Sequence, residues 1–252
     1  EILRCLVGSE MCIRDSDSAA TAGEFVKSGT ISTYNAVSAM GTVVVPTENT
    51  ITLSNDGIVF EGTGAELSAD LKTITIAQPG TYIVTGEMEE GQIIVDVDKT
   101  AYVDGLVELS LEGMSISNTS TSPIYIASVD DKCSISAKKG TVNTVSDGTS
   151  YTNADGGVGA VYAKDDITFK GKGTLNVYGN CEDAIVCKND IHINNGTLNV
   201  TAADDGIRGK DSVRIGDPLD TDFSSLNVTV NAKGGDLSLI HISEPTRHLR
   251  IS

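Results

Sequence analysis

From Ile51 to about Asp236, apolar and polar residues alternate in short runs, among them ITL (51–53), LKTITI (71–76), QIIVDV (92–97) and SISN (115–118). A period of two residues is that of a strand. No run places apolar residues at i, i+3, i+4 and i+7 over a helical length. Gly, Asn and Pro fall between the runs and mark turns. The chain is therefore expected to be all-β.

The alternation becomes a repeat after Gly157. Val158–Val177 and Glu182–Val200 say nearly the same thing, and Asp204–Ile215 begins a third copy. That copy is broken by the insertion GDPLDTDFSS (216–225) before LNV returns at Leu226–Val228. Lys164, Lys188 and Lys210 lie 24 and 22 residues apart. Aligned on these lysines, the apolar columns are Val161/Ile185/Ile207, Ala163/Cys187/Gly209, Ile167/Ile191/Val213 and Phe169/Ile193/Ile215. Leu175/Leu198/Leu226 and Val177/Val200/Val228 complete them. Three short strands per coil of about 22–24 residues, stacked on like coils, predict a parallel β-helix. Ile51–Asn118 is less regular and predicts irregular first coils or a small capping sheet. Pro123–Val145 predicts a coil with a longer first turn.

The two ends differ from the rest. Cys5–Ser16 can be back-translated as the reverse complement of a back-translation of Leu237–Arg247. Protein ends have no biochemical reason to be complementary at the DNA level. Residues 1–16 and 237–252 are accordingly expected to be adapter-derived, the alternative being a short apolar tail strand at Leu239–Ile242. Residues 17–50, rich in Ser, Thr, Ala and Gly, are expected to be a linker. The folded domain is then 51–236. Its pattern calls for one more coil after Asp236, so its C-terminal coils are expected to be truncated.

Setting the ends aside leaves the net charge of −17 unchanged, because they hold four acidic and four basic residues. So acidic a chain excludes nucleic acid and anionic membranes as natural partners and favours cations, or neutral or cation-bridged ligands. No apolar run reaches membrane-spanning length. Cys133, Cys181 and Cys187 make no disulfide framework. Cys187 falls in an inward column and is read as a small buried residue.

Four groups of residues could carry chemistry. At the turn before the first strand, Glu182 stacks over Asp204 and Asp183 over Asp205, with Asp236 where the next coil would place its own. Rungs about 4.8 Å apart match twice a Ca²⁺–oxygen distance of about 2.4 Å. These five residues are either a Ca²⁺ site or a hydrated acidic turn. Lys164, Lys188 and Lys210 form a second column, either compensating the carboxylates beside them or presenting a cationic strip to an acidic polymer. Arg208 projects from the same strand. Tyr125 and Tyr162 align as outward neighbours that could form a platform for a sugar face, or be isolated surface tyrosines. With no Trp in the chain, a broad aromatic strip of the kind that binds cellulose is not available. The Asn176/Asn199/Asn227 column is read as a structural amide ladder, and the lone His192 as an exposed residue without a role.

Gly80–Val97, Ala160–Asn180 and Asp204–Ile215 resemble the secreted bacterial carbohydrate-binding family related to polysaccharide lyases. The resemblance implies a right-handed parallel β-helix, bound Ca²⁺, an extracellular or cell-surface location, and binding of plant cell-wall polysaccharide, including acidic, pectin-like glycans. The function expected is non-catalytic binding by a monomer. The alternatives are a Ca²⁺-dependent lyase acting by β-elimination with a Lys as base, and a structural surface adhesin. The lysines have carboxylate neighbours, which favour the ammonium over the free base and so favour binding.

Overall fold

A computed structural model describes residues 48–152, 158–216 and 225–234, with the backbone of four short strands at 3–4, 13–14, 242–243 and 249–251. Most of the expected linker at 17–50, and Asp236, lie outside the described residues. The chain divides into Glu1–Pro46 and Thr47–Ser252. In the first unit β1 (Leu3–Arg4) and β2 (Ile13–Arg14) pair antiparallel.

The second unit opens with β3 (Asn49–Leu53), β4 (Val59–Glu61), β5 (Ala65–Leu67), β6 (Thr73–Ile76), β7 (Gly80–Met88) and β8 (Gln92–Asp96). Here β3 and β4 form one antiparallel pair and β5 and β6 another. The strands then follow in a regular succession. They are β9 (Leu106–Leu111), β10 (Ser115–Asn118), β11 (Ile124–Ser128), β12 (Lys132–Ala137), β13 (Val142–Asp147) and β14 (Val161–Ala163). The repeats supply β15 (Ile167–Gly171), β16 (Thr174–Gly179), β17 (Ile185–Cys187), β18 (Asp190–Ile193), β19 (Gly196–Ala202) and β20 (Ile207–Gly209). Last come β21 (Ser212–Ile215), β22 (Leu226–Ala232), β23 (Ile242–Ser243) and β24 (Leu249–Ile251). From β8 onward each strand pairs in parallel with the strand three places on in chain order, except at the end of the series.

The sheets differ from the expected right-handed parallel β-helix of three strands per coil. One curled sheet of fifteen strands, mostly parallel, takes in what were expected to be two separate faces, and a second sheet has seven strands. The finding that overturns the expectation is β7. Its first half, Gly80–Val84, pairs with β9, and its last residues, Glu87–Met88, pair with β10. At nine residues it runs past the bend at Gly86 (φ 85°) and joins both arms. The antiparallel pairs at the start depart further from an all-parallel stack. Beyond the region of the expected truncation, β23 pairs with β21 and β24 with β22.

The core is the set of inward columns. Ile124, Val161, Ile185 and Ile207 lie side by side in the seven-stranded sheet, all with no exposure. Val107, Cys133, Ile167, Ile191 and Val213 do the same in one arm of the large sheet. Burying an aliphatic side chain of this size contributes about 1.5–3 kcal/mol. Two of the expected columns shift. Leu198 pairs with Val228 and Val200 with Val230, so Leu226 lies beside Gly196 instead. A slip of two residues keeps every side chain on its own face, so alternation could not separate the two registers.

Candidate functional site

The four strands β11, β14, β17 and β20 stand side by side in the seven-stranded sheet, and their outward column is Tyr125, Tyr162, Val186 and Arg208. The Tyr125 and Tyr162 rings stack with centroids 5.6 Å apart and planes at 25°. The expected alignment of the two tyrosines is therefore present. The lysines lie two residues beyond the column on the same face. Each reaches diagonally across to the preceding rung: Lys164 Nζ stands 5.4 Å from the Tyr125 ring centre and Lys188 Nζ 5.9 Å from that of Tyr162. Both lie within the range of cation–π attraction. Lys210 continues the column, its backbone N–H donating to Cys187 O at 3.0 Å. Val186 stands where a ring would have to lie for the pattern to repeat again.

The platform is not equally open. Tyr162 is 3% exposed and Val186 2%, whereas Tyr125 is half-buried and Lys164 exposed. Tyr162 lies between the Tyr125 ring and the Lys188 side chain, and burial raises the pKa of its phenol. Tyr125 is the ring a ligand can reach from solvent.

Arg208 closes the column by reaching the acidic turn. Its Nη2 pairs with Oδ2 of Asp183, which is 3% exposed, and Asp205 N–H donates to Asp183 Oδ1 at 3.0 Å. Burial pushes the Asp183 carboxyl up, and the Asp205 and Asp204 charges add to this, against the opposing pull of Arg208 and the Asp205 N–H. Arg208 Nε is buried with no partner among the described residues.

The acidic residues stack as expected, with Asp204 N–H donating to Glu182 O at 2.8 Å. Glu182 and Asp204 are exposed, and both Asp183 oxygens are already engaged by Arg208 and the Asp205 N–H. Among the described residues no three acidic, His or Cys side chains converge closely enough to hold an ion. Ca²⁺ needs six to eight oxygens. The fifth acidic residue of the expected set, Asp236, lies outside the described residues.

The carboxylates next to the lysines have other structural work. Asp165 takes Lys99 Nζ at 2.6 Å and Val129 N–H at 2.9 Å. Asp166 accepts from Asp190 N–H at 3.2 Å, and Asp190 accepts from Ser212 Oγ at 2.6 Å. Lys188 makes no ion pair among the described residues. Cys187 is buried as expected, and burial pushes its thiol up to about 12. His192 is half-buried rather than exposed, with Nε2 buried and unpartnered, and burial lowers its pKa. The amide ladder runs from Asn199 Nδ2 to Asn176 Oδ1 at 2.9 Å. It stops there, because Asn227 pairs with Thr197 in the shifted register and Thr229 takes the next place.

Sequence reasoning missed the diagonal placement of each lysine over the ring one rung back, and the Arg208–Asp183 link. The first had a signal in the Tyr162-x-Lys164 spacing, which sets both side chains on one face. The second had none, since the partners are 25 residues apart in a run of similar acids.

Fold and face together define an all-β protein with a column of stacked rings and cations along one sheet. The chain belongs to the family of carbohydrate-binding domain-containing proteins, which it matches over residues 70–236. It is 35% identical over 140 residues to a carbohydrate-binding domain-containing protein of Acetivibrio thermocellus, covering 54% of this chain and 47% of the relative. The chain thus spans about half the length of that curated relative. In fold it is similar to a polysaccharide lyase-like protein from C. thermocellum, solved as a gadolinium derivative, with a TM-score of 0.63 and 24% identity. That match covers 79% of this chain and 98% of the other. Among the described residues no helix is long and apolar enough to cross a membrane.

Proposed function

We propose that the outer face of the seven-stranded sheet binds acidic polysaccharide without cleaving it. The observation that carries this reading is the pair of lysines held over the stacked tyrosines, with Arg208 at the end of the same column. Sugar rings offer C–H faces to aromatic rings, and uronate carboxylates offer charge to ammonium and guanidinium groups. A net charge of −17 makes this a local device, since polymer and protein repel one another elsewhere. Family membership supports a carbohydrate ligand, and the cationic rank supports an acidic one.

The ring contacts of Lys164 and Lys188 place them as cations that can meet a carboxylate on this face. The reading needs no metal step. Its test is electrophoresis through gels containing polygalacturonate, run beside an ultraviolet assay for unsaturated product. Retarded migration without product is expected, and Lys188→Arg should keep most of the retardation because charge and ring contact survive. Product that Lys188→Arg abolishes would establish a lyase. Neither product nor retardation would leave the structural adhesin.

A further inference from the structure

The antiparallel pairs that open the second unit leave two strand edges free. Among the described residues β4 pairs only with β3, and β5 only with β6. The β4 edge is held in place from behind. Its Phe60 ring stacks on Tyr82 with centroids 6.3 Å apart, and Thr63 N–H, just past the strand, donates to Asn49 Oδ1 of β3 at 2.9 Å. A free edge is a template for another strand, and proteins usually blunt it with charge, proline or a covering loop.

Beside β4 two large apolar side chains stand in solvent. Val59, the first residue of the strand, is 56% exposed and Leu71 is 43% exposed. Ile58 N–H donates to Leu71 O at 2.8 Å, which sets the two segments side by side. Leu71 has φ 57°, a left-handed conformation that is an outlier for a bulky residue. The chain thus accepts backbone strain at a position where it presents an apolar side chain to water.

The charge around this edge has one sign. Residues 48–97 hold nine acidic residues and one basic one, Lys72. Glu61 and Glu66 are exposed on β4 and β5 themselves, and exposed Asp56 and Asp70 adjoin Gly57 and Leu71. Exposed Glu89 is tied to the same turn by its N–H, which donates to Asn55 Oδ1 at 2.7 Å. Two such edges repel one another, which opposes pairing between copies. A basic strand is attracted instead, and the net charge of −17 acts in the same direction.

We propose that this end of the fold docks a basic, extended segment of a partner protein, which adds as a strand beside β4 and lays its apolar residues on Val59 and Leu71. Main-chain bonds to the free edge hold such a segment, and alternate side chains give the choice of sequence. The apolar pair and its acidic surround select a segment in which Lys or Arg alternates with apolar residues. β4 lies in the other sheet from the tyrosine–lysine column, so the inference does not depend on an acidic glycan at that column.

The probe is the end-blocked peptide Lys-Val-Lys-Val-Lys, titrated into the full chain at low ionic strength and followed by backbone NMR. Two control peptides carry Glu in place of Lys, or Pro in place of Val, the second keeping the charge but lacking ladder donors. Only the Lys–Val peptide should bind, with shifts centred on Val59–Glu61 and Leu71. Val59→Thr, still β-branched, and Leu71→Gly should each weaken binding about five-fold, the scale of one lost apolar contact. Leu71→Gly should leave the unfolding midpoint unchanged or raised, because glycine accepts the left-handed φ, so its weaker binding is not a loss of fold. Lys188→Ala should bind the peptide as wild type does. The proposal is overturned if wild type fails to bind, if either control peptide binds as tightly, if both edge variants keep wild-type affinity, or if Lys188→Ala loses the peptide. A dimer in sedimentation that Val59→Thr dissolves would also overturn it, by giving the edge to a second copy of the chain.

Discussion

At the scale of single residues, the Asp183–Arg208 link does two things at once. It holds the last cation of the outward column and neutralises a carboxylate that is almost wholly buried. Removing one partner of a buried pair costs more than the pair contributes, because the other is left uncompensated. With the Arg208 side chain 43% exposed, Arg208→Leu should lower stability by about 1–3 kcal/mol in a denaturant titration. An unchanged midpoint would mean that solvent already screens Asp183. Burial raises the Asp183 pKa, so the native state binds that proton more tightly than the unfolded chain. Its contribution is therefore greatest at low pH and falls as pH climbs from about 4 through the raised native value. Asp183→Asn lacks the titration. The melting temperature of wild type relative to this variant should decline over that window, and a flat difference would show that the carboxyl is not displaced upward. The tyrosines and lysines were legible in the sequence because strand alternation assigns each a face. The ion pair was not, since burial of one Asp among several depends on which rung folds over it.

At the scale of the strand, the repeats could be read because each inward column had to be filled by aliphatic residues, and Ile167/Ile191/Val213 do fall in line. The register of β22 and the joining of two arms into one sheet could not. Both depend on backbone pairing that leaves the face of every side chain unchanged. Turns carry sharper constraints. Gly171 has φ 108°, and a Cβ there would lie 2.1 Å from the Ala137 carbonyl oxygen. Because backbone and not a flexible side chain would have to move, Gly171→Ala should destabilise by more than about 1 kcal/mol. Gly113 has a similar φ of 81° but open space around it. Gly113→Ala should therefore cost less. Equal midpoints for the two variants in thermal or denaturant unfolding would remove close approach as the reason for glycine at 171.

At the scale of the molecule, charge decides what each face can meet. A chain of net −17 concentrates two lysines and an arginine over and beside two stacked tyrosines. Composition alone pointed away from nucleic acid, and the local cationic rank is the feature on which we base the proposal of an acidic polymer as ligand. Attraction of this kind is screened by salt, whereas ring stacking is not. The most direct measurement is calorimetric titration of polygalacturonate oligomers into wild type, Lys188→Ala and Tyr125→Ala, at low and high ionic strength. Each substitution should weaken binding about five- to ten-fold at low salt, about 1 kcal/mol for a cation–π or stacking contact. The Lys188→Ala deficit should shrink at high salt, and the Tyr125→Ala deficit should persist. Wild-type affinity in both variants would contradict the assignment of this face as the acidic-glycan site.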